Sequence, residues 1–213
     1  MDNIAFLKTV KNNYEVNQPI FIDELLKLFL PISRAQVFRY INRAKISNEL
    51  IQYDTGVYYL PTQTILGVSK ITADDVVKKK FIMTKNKIYG VYAGVGLLNM
   101  FGVTTQVPAI IEIVSNKESS KSREITISNR KFIVKKSRCK INSENYKAYM
   151  IMELFNEIGI DEIIPSRAKK IISDYLKEES ISAYSLFKMS RYFPAKALKN
   201  VIRSEVSDGF ILW

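Results

Sequence analysis

The step Leu60-Pro61 sets the first limit on how this chain can fold. Proline donates no N–H to a sheet and holds the residue before it extended, so a strand that reaches Leu60 ends there. A first fold has residues 1–61 in which to close. A softer break lies at Asn142-Ser143-Glu144-Asn145, where β-type alternation gives way to helical spacing. Together they predict a unit at 1–61 and a second at 62–213, whose last part, 142–213, is helical. No fixed-period repeat and no low-complexity tract interrupts either.

Within 1–61 the apolar spacing predicts three helices and a hairpin. Ile4, Leu7 and Val10 recur at helical intervals over 3–11. Asp23 is a good N-cap for a second helix carrying Leu25, Leu26, Leu28 and Phe29, which Pro31 stops. Ser33 and Gln36 form the spacing of a capping box and open a third helix. Ile51-Gln52-Tyr53 and Val57-Tyr58-Tyr59-Leu60 flank the turn Asp54-Thr55-Gly56, as in a hairpin. Helix, helix, helix, hairpin is the winged helix-turn-helix layout, and the whole chain is expected to be α+β.

The third helix carries the functional expectation. From Ser33 to Lys45 it has four cations (Arg34, Arg39, Arg43, Lys45) and no acid. Val37, Phe38, Ile41 and Ala44 are assigned to one face, and Gln36, Arg39, Tyr40 and Arg43 to the other. Such side chains reach base edges and phosphates in a major groove. Ser33 and Arg34, at the helix start, suit phosphate contact, where free N–H groups and the helix dipole point outward. Thr55 and Tyr58 on the wing complete the expected DNA-binding set of Ser33, Arg34, Gln36, Arg39, Tyr40, Arg43, Lys45, Thr55 and Tyr58; packing of Tyr40 at the domain edge is the alternative, and Tyr58 and Tyr59 alternate across the wing, one in the core and the other free for backbone contact. Solvation alone also gives a charged helix face, and three helices with a hairpin also build protein-interaction modules.

Composition narrows the function classes. The 213 residues carry 32 Lys and Arg against 21 Asp and Glu, a net charge of +11, which favours polyanionic partners. The surplus is concentrated: residues 62–141 hold 15 basic and 5 acidic side chains. With no histidine, Ser-His and Cys-His nucleophile arrangements are excluded, along with most zinc sites. No carboxylate cluster has metal-ligand spacing, so neither an enzyme, a metal nor a cofactor is expected. The single cysteine, Cys139, fits a reducing cytoplasm. The first residues lack the layout of a signal peptide, and no apolar run approaches the roughly 20 residues of a membrane span. The expected location is cytoplasmic.

The middle third predicts a helix over 72–82, capped by Thr72, with Asp74 and Asp75 suiting the dipole of its first turn. A second helix is expected from about Val91 to Phe101, stopped by Gly102. A strand is expected at Ala109–Val114, and a hairpin at 124–127 and 132–134. That hairpin carries Lys121, Arg123, Arg130, Lys131, Lys135, Lys136, Arg138 and Lys140 against Glu124. The first seven form a candidate basic surface for phosphate or for a toxin system. Cations such as these can lower the pKa of Cys139, but with no histidine and no second cysteine it reads as an incidental thiol.

A winged helix ending in Tyr-Tyr-Leu-Pro, then Tyr89-Gly90-x-Tyr92-Ala93-Gly94-x-x-Leu97-Leu98-x-x-Phe101-Gly102-Val103-Thr104-Thr105-Gln106-Val107-Pro108, then a strand with Ser115-Asn116 and a basic hairpin, resembles the AbiEi-type antitoxins of type IV toxin–antitoxin, abortive-phage-infection systems. The resemblance spans roughly residues 5–140. It implies a head that binds double-stranded operator DNA at inverted repeats, as a monomer or weak dimer, and represses its own operon. It also implies that the chain counters a cognate nucleotidyltransferase toxin, directly or indirectly. The Gly-Ser and Asp-x-Asp residues of such a toxin are missing, so the likeness is to the antitoxin.

In the last third, helices are expected at 142–158 (stripe Tyr146, Met150, Leu154, Ile158), after Pro165, at 182–192 and at 195–206. The apolar end Gly209–Trp213 is expected to pack back or to lie in an interface. An alternative function is a protein- or tRNA-interaction module whose basic hairpin docks a partner without sequence-specific DNA binding.

Overall fold

A computed structural model describes residues 2–65, 67–160 and 162–206; the expectation for Gly209–Trp213 lies outside them. The fold is α+β and divides into two compact units. The first holds the described residues up to Lys79 with Ile127–Asn129, and the second holds the rest.

The first unit opens with α1 (Asn3–Asn13), where Asp2 Oδ1 accepts the Ala5 N–H at 2.8 Å. β1 (Ile20–Phe21), α2 (Ile22–Leu28), α3 (Arg34–Ile46), β2 (Ile51–Asp54) and β3 (Val57–Tyr59) follow. The sheet order β1-β3-β2, antiparallel throughout, is that of a winged helix-turn-helix. Strand β1 was not expected: two residues are too short for any period to show. It also moves the start of α2. Asp23 lies in the first turn rather than at the cap, and Glu24 Oε2 accepts the Phe21 N–H at 2.9 Å. Phe6, Val10, Leu25, Phe29, Val37, Ile41 and Leu50 fill the core, with Phe6 stacked on Phe29 at 4.6 Å between ring centres.

The unit does not close at Pro61. β4 (Gln63–Thr64), β5 (Gly67–Val68) and α4 (Ala73–Val77) belong to it. Hydrogen bonds account for this extension: Thr62 N–H and Oγ1 meet Ser69 Oγ at 2.8 and 3.1 Å, and Tyr59 O–H donates to the Ser69 carbonyl at 3.0 Å. Asn17 Nδ2 donates to Thr62 Oγ1 at 3.0 Å. Thr72 caps α4 as expected, with Asp75 Oδ2 accepting its N–H at 2.8 Å, but the helix continues as a π-helical turn, Lys78–Ile82.

The second unit continues with β6 (Met83–Thr84), β7 (Lys87–Ile88), β8 (Gly90–Ala93), α5 (Gly94–Met100), β9 (Ile111–Ser115), β10 (Ser122–Ile127, without its last residue) and β11 (Arg130–Lys136). The helix expected from Val91 is therefore a strand up to Ala93. β8 pairs antiparallel with β9, and at Gly90 an added Cβ would lie 2.1 Å from the Phe81 carbonyl oxygen, so only glycine lets the backbones meet. Gly94, at φ +61°, then turns the chain into α5. The sheet order is β10-β11-β9-β8, with β11 parallel to β9.

Helices α6 (Tyr146–Glu157), α7 (Ser166–Glu178), α8 (Ala183–Ser190) and α9 (Ala195–Arg203) follow among the described residues. α6 is not a one-striped helix: every residue from Ala148 to Phe155 is buried, because α5, β8, α8 and α9 pack around it. Each large side chain interred there contributes about 1.5–3 kcal/mol.

Candidate nucleic-acid interface

The exposed side of α3 is built from its cap upward. Ser33 Oγ accepts the Gln36 N–H at 3.3 Å. The Gln36 side chain is not spent on the cap: its Oε1 accepts from Arg39 Nη1 at 3.3 Å, one turn along. The Arg34 guanidinium lies 5.6 Å from the Phe38 ring centre. Arg34, Arg39, Asn42 and Arg43 are exposed. Half-buried Lys45 places Nζ 2.5 Å from Gln52 Oε1 on β2, joining the helix to the wing. Thr55 is exposed at the wing tip, its N–H donating to Asp54 Oδ1 at 2.6 Å.

Two expected members of the set are corrected. Tyr40 is 5% exposed and stacks on Phe6 at 5.5 Å, so it belongs to the buried face with Val37, Ile41 and Ala44. Phe38, assigned to that face from sequence, is only half-buried. Tyr58 is also 5% exposed, because its ring packs into the core of the first unit, and burial raises its pKa. Neither ring offers a surface to a nucleic acid. Asn42 and Gln52 were missed. Asn42 sits three residues after Arg39, a spacing that the sequence already displays.

In the second unit, several cations of the basic hairpin are already paired. Arg123 contacts Glu118 through Nε at 3.0 Å and Nη2 at 2.9 Å, and Lys131 meets Glu124 at 2.9 Å. Lys135 Nζ lies 2.5 Å from Glu112 and 3.8 Å from Glu157. Burial lowers the Lys135 pKa, but the Glu112 hydrogen bond and the carboxylate charges outweigh it, and the net shift is upward. Arg138 stacks over Phe193 at 5.3 Å. Lys121, Arg130 and Lys136 are exposed. Buried Glu118 accepts from Ser120 Oγ at 2.7 Å and from the N–H groups of Ser119 and Ser120; the Ser120 hydroxyl bond is the main reason its pKa is lowered. Its one sequence signal is the serine pair that follows it.

Against known families, one comparison is decisive: the model of a family of unknown function, DUF6088, matches residues 9–183. The chain belongs to that family. Among curated proteins, none matches the chain. The DUF6088 match takes in α3, the wing and the basic hairpin, and reaches the first residue of α8.

The remaining candidates inside the DUF6088 region resolve simply. Asp75 is used as a helix cap. The Cys139 pKa is raised by burial, against the pull of Arg191, rather than lowered. Among the described residues, no group of His, Cys, Asp or Glu could hold a metal ion, and no helix is long and apolar enough to cross a membrane.

Proposed function

We propose that this chain binds duplex DNA through α3 and its wing, represses its own operon, and acts as an antitoxin against a nucleotidyltransferase. The observation that carries the reading is the division of α3. One side is buried in a winged helix, while the other exposes Arg34, Arg39, Asn42 and Arg43 with no acid on the helix. The sequence resemblance over Tyr89–Pro108 supports the antitoxin role.

The test is binding of the full chain to duplex DNA from immediately upstream of its own reading frame. Arg39→Ala and Arg43→Ala are each expected to weaken binding by about 1–3 kcal/mol if the contact is bidentate. A steep fall of affinity with salt accompanies phosphate contact. Unchanged binding in both variants removes the reading. The antitoxin role is tested by co-expression with a neighbouring nucleotidyltransferase, where restored growth supports it and continued arrest removes it.

A second reading draws on Leu30 and Ile46, which are 73% and 84% exposed in the helix-turn-helix. Aliphatic side chains there suit a protein partner. Leu30→Ser and Ile46→Ser, if they abolish partner capture while sparing duplex binding, favour it.

A further inference from the structure

Helix α8 presents an aromatic and cationic face that nothing in the described structure covers. Tyr184 and Phe187, three residues apart and thus on one side of the helix, are 71% and 67% exposed. Tyr192, just beyond the helix, is 43% exposed, with the Arg191 guanidinium 5.4 Å from its ring centre. Lys188 is exposed between them, and Arg191 is fixed by its Nε bond to the Lys188 carbonyl at 2.9 Å. Leu186 and Met189 point the other way, into the core.

Charge shows what the face accepts. The face carries Lys188 and Arg191, and the chain from Ile181 to Ser204 has not one acid. The exposed side chains of α8 itself are Ala183, Tyr184, Phe187 and Lys188, so nothing aliphatic larger than alanine is offered. An acyl chain or an apolar protein helix would ask for Leu, Ile or Met. Flat rings spaced by cations match a partner that is flat, unstacked and regularly anionic.

We infer that the α8 face binds single-stranded nucleic acid, with bases stacked on Tyr184, Phe187 and Tyr192 and phosphates held by Lys188 and Arg191. Single strands expose π-faces that duplexes hide, and aromatic stacking tolerates any sequence. This site is separate in sequence and chemistry from α3, which reads duplex grooves, and it does not rest on the proposed antitoxin role.

The experiment is fluorescence anisotropy of the full chain with a labelled 12-nucleotide mixed-sequence single strand and with an abasic strand of equal length and charge. The base-bearing strand should bind at least about fivefold tighter, and Tyr184→Ala and Phe187→Ala should each erase at least about that factor. Phe187→Trp should preserve binding, and Lys188→Ala should lower the salt slope by about one. Arg39→Ala should leave the single-strand affinity unchanged, which separates this face from α3. Both aromatic side chains are exposed, so unchanged melting curves will show that the variants fold. Equal affinity for the abasic strand overturns the inference, as does unchanged binding in both alanine variants. Poly-glutamate binding as tight as the oligonucleotide would assign the face to an acidic protein partner and overturn it as well.

Discussion

Lys79 Nζ lies 2.8 Å from Glu24 Oε2, although 55 residues separate them in sequence. The same ammonium donates to the Pro19 carbonyl at 2.6 Å and sits 5.4 Å from the ring centres of both Tyr14 and Phe21. Glu24 in turn caps Phe21. One lysine beyond the wing thus fixes the entry to the helix-turn-helix.

Lys79→Ala should therefore destabilise the first unit by about 2 kcal/mol, since it removes a hydrogen bond to a charged group and strips a partner from a carbonyl. Urea titration followed by tyrosine fluorescence checks this. An unchanged midpoint would mean that the contact contributes nothing net.

Tyr40 and Arg39 are adjacent and should behave oppositely. Tyr40→Ala opens a cavity beside Phe6 and should cost about 3–5 kcal/mol of stability, while Tyr40→Phe should leave duplex affinity within about twofold. Arg39→Ala should weaken duplex binding without moving the melting temperature. A Tyr40→Phe variant that loses DNA affinity would restore the tyrosine to the interface.

The hairpin cations should divide according to their partners. Lys121→Gln and Lys136→Gln should each lower the salt slope of polyanion binding by about one, because these exposed groups are available for phosphate. Arg123→Gln and Lys135→Gln should change it far less, since Glu118 and Glu112 already neutralise those positions. Affinity against salt concentration reads the difference directly.

Glu153 on α6 is 3% exposed, and its Oε2 has no hydrogen-bond partner among the described residues. Burial first, then the charges of Glu157 and Glu112, raise its pKa from 4.5 to about 7 against the pull of Arg138 and Lys135. The folded chain holds a proton that the unfolded chain gives up at lower pH. The resulting stability is full below about pH 4.5, falls as pH rises toward about 7 and is level beyond, a loss on the order of 3 kcal/mol. Glu153→Gln should flatten that part of the curve. Denaturant midpoints between pH 4 and 8 that keep the wild-type slope would rule this out.

Much of the winged helix was legible because it is written in local signals. Ser33, the acid-free run to Lys45 and the Asp54–Gly56 turn each specify geometry within a few residues. The failures came where tertiary contact decides. Tyr40 occupies a position that is inside or outside by a single residue of helical phase. Tyr58 is buried because its ring joins the core of the first unit, a tertiary contact that strand alternation cannot reveal. Val91–Ala93 reads as helix until the close approach of the Phe81 carbonyl to Gly90 is seen. The hairpin cations looked unopposed because Glu112 and Glu157 lie far from them in sequence. The α8 face escaped notice because the sequence there was read only as a helix at 182–192, with no face assigned to its aromatics.

The strand order β10-β11-β9-β8 imposes a schedule on biosynthesis. β9 emerges from the ribosome ahead of β11 and must wait with its open side unprotected. β10, made next, has no place in the sheet until β11 arrives to separate it from β9. The two-residue turn Ser128-Asn129, with both φ angles positive, lets β10 and β11 zip together by themselves and insert as a finished ribbon. A translational pause that holds β11 inside the ribosome after β9 has emerged would strand a sticky, half-built sheet open to aggregation.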